Sequence, residues 1–595
     1  METSSLQFRG EKIPLYFITE RCERYQTPKY NEIMGALDDS SGHMEWKQAL
    51  EWFLNRDRLI PLKEKVAIQR IGISQSNRVF CVETGASRVT YQHLSYLAHN
   101  TGWYFYLTGV NLGRSPTSYA VDQIPVKYTK KHIEETWDTL RDGPIELIDI
   151  GSGPNSVCFL LKIGSLNILL DAGLPRTTEG TGLTDQLREL VDHLDGIFLS
   201  HAHSDHCQGL ALVLQAFPDA VVLCSSTTLD FLAFKEASVE WGTNETETKV
   251  TLSDSSRKLV TNTVRVASRD RIQFAGGDMS FFAAGHMPGA LMLHIKDGDY
   301  GFLYTGDFSL FDYFPIQGVY GVADSLPKRV DFALIDAAMC NARYSGPEKV
   351  FTSLFRQLKK KADFGNHVLI GADPASTAIV LYVSIFNYFR GLQLKTGYEH
   401  RPLIVLGRDT LEYVRIIQQR AEDLHPVIRR GIDLKLNPFS SALACFCEHA
   451  GDVWSALEQN NAIFIFGPPD FNYGIIQDLL GRIGTNQHNL VYLAGALRSS
   501  DAIELASGMN QITLKGLPFT NQAEVFNVQN PDETLNLHAD FLQIAKLVEM
   551  VRPRRIALFH SSPKVLVPVR AEFSRLTYVS ETHSFSATSR VLRLR

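Results

Sequence analysis

Cysteine is scarce, with eight in 595 residues. Cys22, Cys81, Cys158, Cys207, Cys224 and Cys340 stand alone, and Cys445 and Cys447 form a Cys-x-Cys with no partner pair. That excludes a small disulfide scaffold, argues against a zinc knuckle, and fits reduced thiols in the cytosol. Long apolar runs are also missing. None approaches the roughly 18 residues of a membrane span, so no membrane association is expected. Met1 to Phe17 mixes Glu, Arg and Lys, so no signal peptide is expected. Neither sign of charge dominates: 59 basic against 65 acidic residues give a net charge of −6. Bulk attraction to polyanions is thereby excluded, and nucleic acid would need a local basic patch. There is no short-period repeat and no low-complexity tract. What remains is ordinary globular usage, 44% hydrophobic and 21% charged, in a chain long enough for several domains.

Residues 1–140 carry little signal beyond an amphipathic helix at His43 to Arg58 and a Tyr- and Thr-rich stretch from Thr84 to Gly109. A small α+β module is expected there. From about 145 the pattern sharpens. Val157 to Ile163 and Leu166 to Asp171 flank Gly164-Ser165 and predict a hairpin; Leu291 to Ile295 and Tyr300 to Tyr304 flank Asp297-Gly298-Asp299 and predict a second. Ile197 to Ser200 predicts a buried strand, as do Ala220 to Cys224 and Asp331 to Ile335. Between 346 and about 525, strands (Val368 to Ile370, Leu403 to Leu406, Ile463 to Phe466, Leu490 to Leu493) alternate with helices, which predicts a parallel α/β sheet. No Gly-rich phosphate loop follows its first strand, so a nucleotide cofactor is not indicated. A helix at Ala539 to Val551 and a strand at Ile556 to His560 follow.

The chemistry concentrates in His201-Ala-His203-Ser-Asp205-His206, directly after a predicted buried strand. Imidazole nitrogen and carboxylate oxygen suit zinc. His201 and His203 alternate around one residue and can face one way, while Asp205 and His206 fall on the far side of the turn. One loop can thus feed two ions and complete neither. Further donors stand at other predicted strand ends: His286 between glycines, Asp307 after Tyr304-Thr-Gly306, and Asp171 after Ile-Leu-Leu.

Asp171, the 201–206 motif, His286 and Asp307, in this order, resemble the ordered motifs of the metallo-β-lactamase fold. Asp336 after a strand, the α/β block, His538 and His560 then resemble the β-CASP nucleases, in which such a block is inserted into that domain. The resemblance implies an αββα sandwich with an inserted parallel α/β domain and an extra N-terminal α+β module. The expected boundaries are 1–140, 141–345, 346–528 and 529–595, the last returning to the sandwich. It also implies two zinc ions per chain, one on His201, His203 and His286, the other on Asp205, His206 and His560, with Asp307 bridging and Asp171 orienting a ligand from behind.

The implied activity is hydrolysis of RNA phosphodiester bonds by hydroxide activated between the zinc ions, with Asp205 in the catalytic machinery, His538 as general acid and Asp336 tuning it. His560 favours RNA; a DNA nuclease or a small-molecule metallo-hydrolase of this fold is the alternative. Implied partners are single-stranded RNA and either a second copy or subunits of a processing complex. The expected location is the cytoplasm, or the nucleus for a eukaryotic source. Lys127, Lys130 and Lys131, Lys359 to Lys361, and Arg552, Arg554 and Arg555 are the expected basic contributors. Two motifs depart from the family: Ala337-Ala338-Met339 follows Asp336, and Asn536 stands two residues before His538 where Ser is common.

Overall fold

The computed structural model describes residues 4–8, 11–17, 33–37, 43–54, 70–84, 91–109 and 115–595, apart from 141–142, 152, 175–180, 241–248, 345, 397, 399–401, 434–438, 440–443, 447–449, 459–460, 496, 498, 527–533 and 586–589. Part of the expected helix at 43–58, part of the stretch at 84–109, and Cys22 and Cys447 lie outside the described residues.

Two seven-stranded sheets stack face to face. The first runs, edge to edge, Thr263–Arg265, Val221–Cys224, Gly196–Phe198, Leu166–Leu170, Phe159–Ile163, Ile145–Asp149 and Val591–Arg593. The second runs Arg271–Phe274, Gly277–Ala283, Leu291–Asp297, Tyr300–Tyr304, Val330–Asp336, Pro553–Phe559 and Glu581–Ser584. Apolar residues at alternate positions of both sheets, Phe159, Phe198, Phe281, Phe302, Tyr304, Phe332 and Phe559 among them, close the shared core. The outer faces carry helices, including Leu210–Ala216, Asp254–Asn262 and Phe541–Val551. Both expected hairpins form, with Gly164 and Gly298 at φ +57° supplying the left-handed turn residue.

The C-terminal segment stitches the sandwich together. Pro553–Phe559 pairs in parallel with Val330–Asp336, and Val591–Arg593 pairs antiparallel with Ile145–Asp149. Between Val330–Asp336 and Pro553–Phe559 the chain builds a six-stranded, wholly parallel sheet in the order Ala444–Phe446, Leu403–Leu406, Ala462–Phe466, Val368–Ala372, Leu490–Ala494 and Glu524–Val525. A buried ionic seam fixes this block against the sandwich. Arg420 donates to Asp230 (2.7 Å) and Asp122 (2.8 Å), Ser115 Oγ to Glu412 (2.6 Å), and the Thr227 amide to Asp423 (3.0 Å).

The N-terminal module is a five-stranded sheet, Ser4–Phe8, Glu11–Phe17, Arg70–Ser74, Val79–Thr84 and Tyr104–Gly109, in chain order. Helix Trp46–Leu54 packs on it through Phe53, whose ring stacks on Phe105 at 4.6 Å. The boundary expected at 140 falls differently. Helix Pro116–Asp122 buries Val121 in the core of the sandwich, and Trp137 packs edge-on against Phe274. The residues from Ser115 onward therefore pack with the two-sheet domain. Among the described residues no helix is long and apolar enough to cross a membrane.

Candidate metal centre

The site lies where strands of both sheets end on the same side. His201 follows Gly196–Phe198, and a single helical turn, Ser204–Cys207, swings Asp205 and His206 away from His203. Asp307 follows Tyr300–Tyr304, Asp336 ends Val330–Asp336, and His560 follows Pro553–Phe559. Gly306, at φ +52°, brings the Asp307 loop against Ser200, where a Cβ would stand 2.5 Å from the Ser200 Cβ. Asp171 and His560 themselves adopt left-handed backbone at φ +57° and +67°. Such a conformation costs a non-glycine residue about 1–2 kcal/mol and is commonest where function over-determines the geometry.

All the expected site residues converge. His201, His203, His286 and Asp307 offer one donor atom each, mutually within 4.8 Å; so do Asp307, Asp336, His538 and His560, and so do Asp205, His206 and His560. In the first group His203 Nδ1 is 3.1 Å from His201 Nε2 and 2.9 Å from His286 Nε2, and both Nε2 atoms are 3.6 Å from Asp307 Oδ2. Donors placed tetrahedrally 2.0–2.1 Å from zinc stand about 3.4 Å apart, so these spacings fit one ion. In the third group His560 Nε2 is 3.3 Å from Asp205 Oδ2, and His206 Nε2 reaches out of that group to within 3.3 Å of Asp307 Oδ2.

The outer nitrogens fix the tautomers. His206 Nδ1 lies 2.6 Å from Asp171 Oδ2, which also accepts from Tyr304 (2.6 Å) and Ser200 Oγ (2.7 Å). In the neutral form that a metal ligand must take, with Nδ1–H donating to Asp171, the ring turns a lone pair at Nε2 inward, toward an Asp307 oxygen. Nε2 is buried and makes no hydrogen bond. Lone pair facing lone pair is repulsive unless a cation lies between them, so this orphaned atom fits a metal ligand. His286 is set likewise by Nδ1 to the Leu537 carbonyl (3.1 Å), and His201 Nδ1 lies 2.9 Å from Ser200 Oγ.

Electrostatically the cluster splits. Burial and neighbouring imidazoles push His201 well down and His286 down to about 3, leaving both neutral and able to ligate at neutral pH. Burial also opposes charge on His206, but the Asp307 and Asp171 carboxylates outweigh it and hold that ring up to about 10. His560 is likewise raised, against burial, by Asp307 and its carboxylate hydrogen bonds. His538 Nδ1 stands 3.3 Å from Asp336 Oδ2; burial lowers its proton affinity, but the Asp307 charge and the Asp336 hydrogen bond raise it further. Asn536 takes the place of the common Ser in shaping this turn, its amide gripping both the His538 amide and carbonyl.

Several participants carry no sequence signal. Ser200 and Tyr304 sit on Asp171, Leu537 offers only its carbonyl, and Lys235 donates to the Ala202 carbonyl within the metal loop. Asp373, from the inserted block, places Oδ1 3.8 Å from His203 Nε2. The expected basic contributors are mostly spent elsewhere. Lys127, Lys130, Lys131 and Lys359 pair with Asp219, Asp270, Glu135 and Asp363. Lys361 is buried on Glu524, and Arg555 donates to Tyr300 and the Leu594 carbonyl. Six of the nine basic residues expected to form a surface patch thus have local partners.

Comparison with known proteins agrees with this architecture. Residues 151–351 match the family described as the metallo-beta-lactamase superfamily. "Cleavage and polyadenylation specificity factor subunit 3" of Dictyostelium discoideum is 21% identical over 471 residues, covering 75% of this chain and 57% of that protein. "Endoribonuclease YSH1" of Kluyveromyces lactis is 21% identical over 437 residues, covering 69% and 54%. "Cleavage and polyadenylation specificity factor 73" of Drosophila melanogaster is 20% identical over 446 residues, covering 72% and 61%. The chain thus spans little more than half the length of these relatives. Over residues 151–351 the chain is similar to the metallo-beta-lactamase superfamily, and over most of its length it is a homologue of these cleavage factors and endoribonucleases.

Proposed function

We propose that this chain is a zinc-dependent ribonuclease holding two zinc ions and hydrolysing phosphodiester bonds of single-stranded RNA. The observation that carries the reading is His538, half-buried beside Asp336 in a donor group that shares Asp307 with the group of His201, His203 and His286. A proton donor next to a paired-cation site is what hydrolysis of a phosphodiester needs, because the departing 3′-oxygen must be protonated. His201, His203 and His286 would hold one ion, Asp205, His206 and His560 the other, and Asp307 would bridge. Bound zinc supplies Lewis acidity that makes water a nucleophile near neutral pH and neutralises charge on the phosphate. Asp171 keeps His206 in the Nδ1–H tautomer, and the Leu537 carbonyl does the same for His286. Asp307 and Asp336 raise the proton affinity of His538 against the effect of burial, and Asp336 aims its Nδ1. RNA, rather than DNA, is supported by the endoribonuclease among the relatives and by the histidine at position 560. Partners of the proposed enzyme are RNA and other subunits of a cleavage machinery.

The test is incubation of the zinc-loaded chain with labelled single-stranded RNA, single-stranded DNA of the same sequence, and a lactone. Cleavage of RNA that stops on chelation and returns with zinc is expected. Turnover of the lactone alone, or RNA cleavage by metal-stripped folded protein, contradicts the reading.

A further inference from the structure

Four imidazoles of the cluster turn an outer nitrogen away from the donor atoms, and three of those nitrogens have partners within the sandwich and its returning segment. His206 Nδ1 meets Asp171, His201 Nδ1 meets Ser200, and His286 Nδ1 meets the Leu537 carbonyl. His203 is built the other way round. Its Nδ1 faces the cluster, at 2.9 Å and 3.1 Å from its neighbours, so its outer nitrogen is Nε2. The group in front of that nitrogen is Asp373, whose Oδ1 is 3.8 Å away. Asp373 belongs to the inserted block: it follows Val368–Ala372, a strand paired on both sides within that block's sheet.

We infer that Asp373 is a positioning residue: its carboxylate holds His203 through Nε2–H and thereby links docking of the inserted block to metal affinity. The inference rests on the zinc reading above. A shift of about 1 Å converts the contact into a charge-assisted hydrogen bond, which raises ligand basicity and fixes the tautomer. The carboxylate is already anchored for this. Oδ1 accepts from the Ala375 amide (3.0 Å) and Ser376 Oγ (2.9 Å), a turn that starts helix Thr377–Thr396. Any ion that pulls on His203 then pulls on the first turn of that helix. By reciprocity, whatever separates block from sandwich weakens the ion.

The full chain with Asp373→Asn tests this, because asparagine keeps an acceptor oxygen for Ala375 and Ser376 and loses only the charge. Chelator competition should show one of two zinc ions weakened about 10–100-fold, with the melting temperature of the metal-free protein unchanged and the visible spectrum of the cobalt-loaded protein shifted. Ser376→Ala, which removes one of the two anchors of that carboxylate and keeps its charge, should lower the metal-free melting temperature and weaken zinc by less than Asp373→Asn does. In the unmutated chain, zinc should slow amide hydrogen exchange from Ala375 to Ala378. The inference is overturned if Asp373→Asn holds both ions as tightly as the native chain, if Ser376→Ala weakens zinc equally, or if zinc leaves exchange at 375–378 unaltered. A native chain that binds no zinc overturns the proposed function first, and this inference with it.

Discussion

The two halves of the cluster meet at Asp307 and are built on different terms. The half formed by His201, His203 and His286 is rich in nitrogen, and burial keeps His201 and His286 uncharged. The half formed by Asp205, His206, His538 and His560, with Asp336 behind it, is rich in carboxylate, and those carboxylates hold protons on the histidines beside them. Neutral donors wait for a cation without needing a counter-charge. Buried carboxylates demand one. On the proposed function, the nitrogen-rich half would serve chiefly to hold metal, and the carboxylate-rich half to manage charge and protons.

Removing a ligand from each half breaks the comparison most severely. His203→Ala and Asp205→Ala should each reduce RNA cleavage below detection while circular dichroism remains native. The metal content should fall on the side that lost its ligand. His538→Ala should lower kcat by about 10²–10⁴-fold, read in single-turnover assays, and leave zinc content unchanged. Loss of metal in that variant would place His538 among the ligands instead. Asp171→Asn should weaken one ion about 10–100-fold, measured by chelator competition, because His206 loses the carboxylate that orients it. The mildest effect is the pH response. His206 and His560 must give up protons to bind zinc, so affinity at that half should rise as pH rises, by about tenfold per unit for each proton released. His286, held down to about 3, releases no proton in this range, so zinc affinity at the nitrogen-rich half should rise less steeply between pH 6 and 8. Zinc titrations across that range read both.

Most of this site was legible in the sequence because its residues sit at ends of strongly apolar strands. The Ile-Phe-Leu-Ser before His201, the Tyr304-Thr-Gly before Asp307 and the Ala-Leu-Phe before His560 each mark a strand whose end faces the others. The hairpins at Gly164 and Gly298 were legible for the same reason, apolar runs around turn residues. The rest was hidden by physics that acts through space. The Leu537 carbonyl is contributed by backbone, so no residue type announces it. Asp373 gains its place only when a block of about 180 residues docks, and nothing local distinguishes it from a turn aspartate. The N-terminal strands were missed because Glu11–Phe17 mixes Glu, Lys and Pro with its apolar residues, and the C-terminal edge strands Glu581–Ser584 and Val591–Arg593 are too short and polar to show a period. The boundary after the N-terminal module was missed because Val121 and Trp137 join the core of the sandwich from a stretch whose composition resembles a linker.

The most direct measurement is anomalous diffraction at the zinc edge from crystals of the zinc-equilibrated chain. Two peaks should appear on opposite sides of Asp307, one among His201, His203 and His286, the other among Asp205, His206 and His560. A folded chain with no anomalous peak at Asp307, or with zinc held elsewhere, contradicts the account.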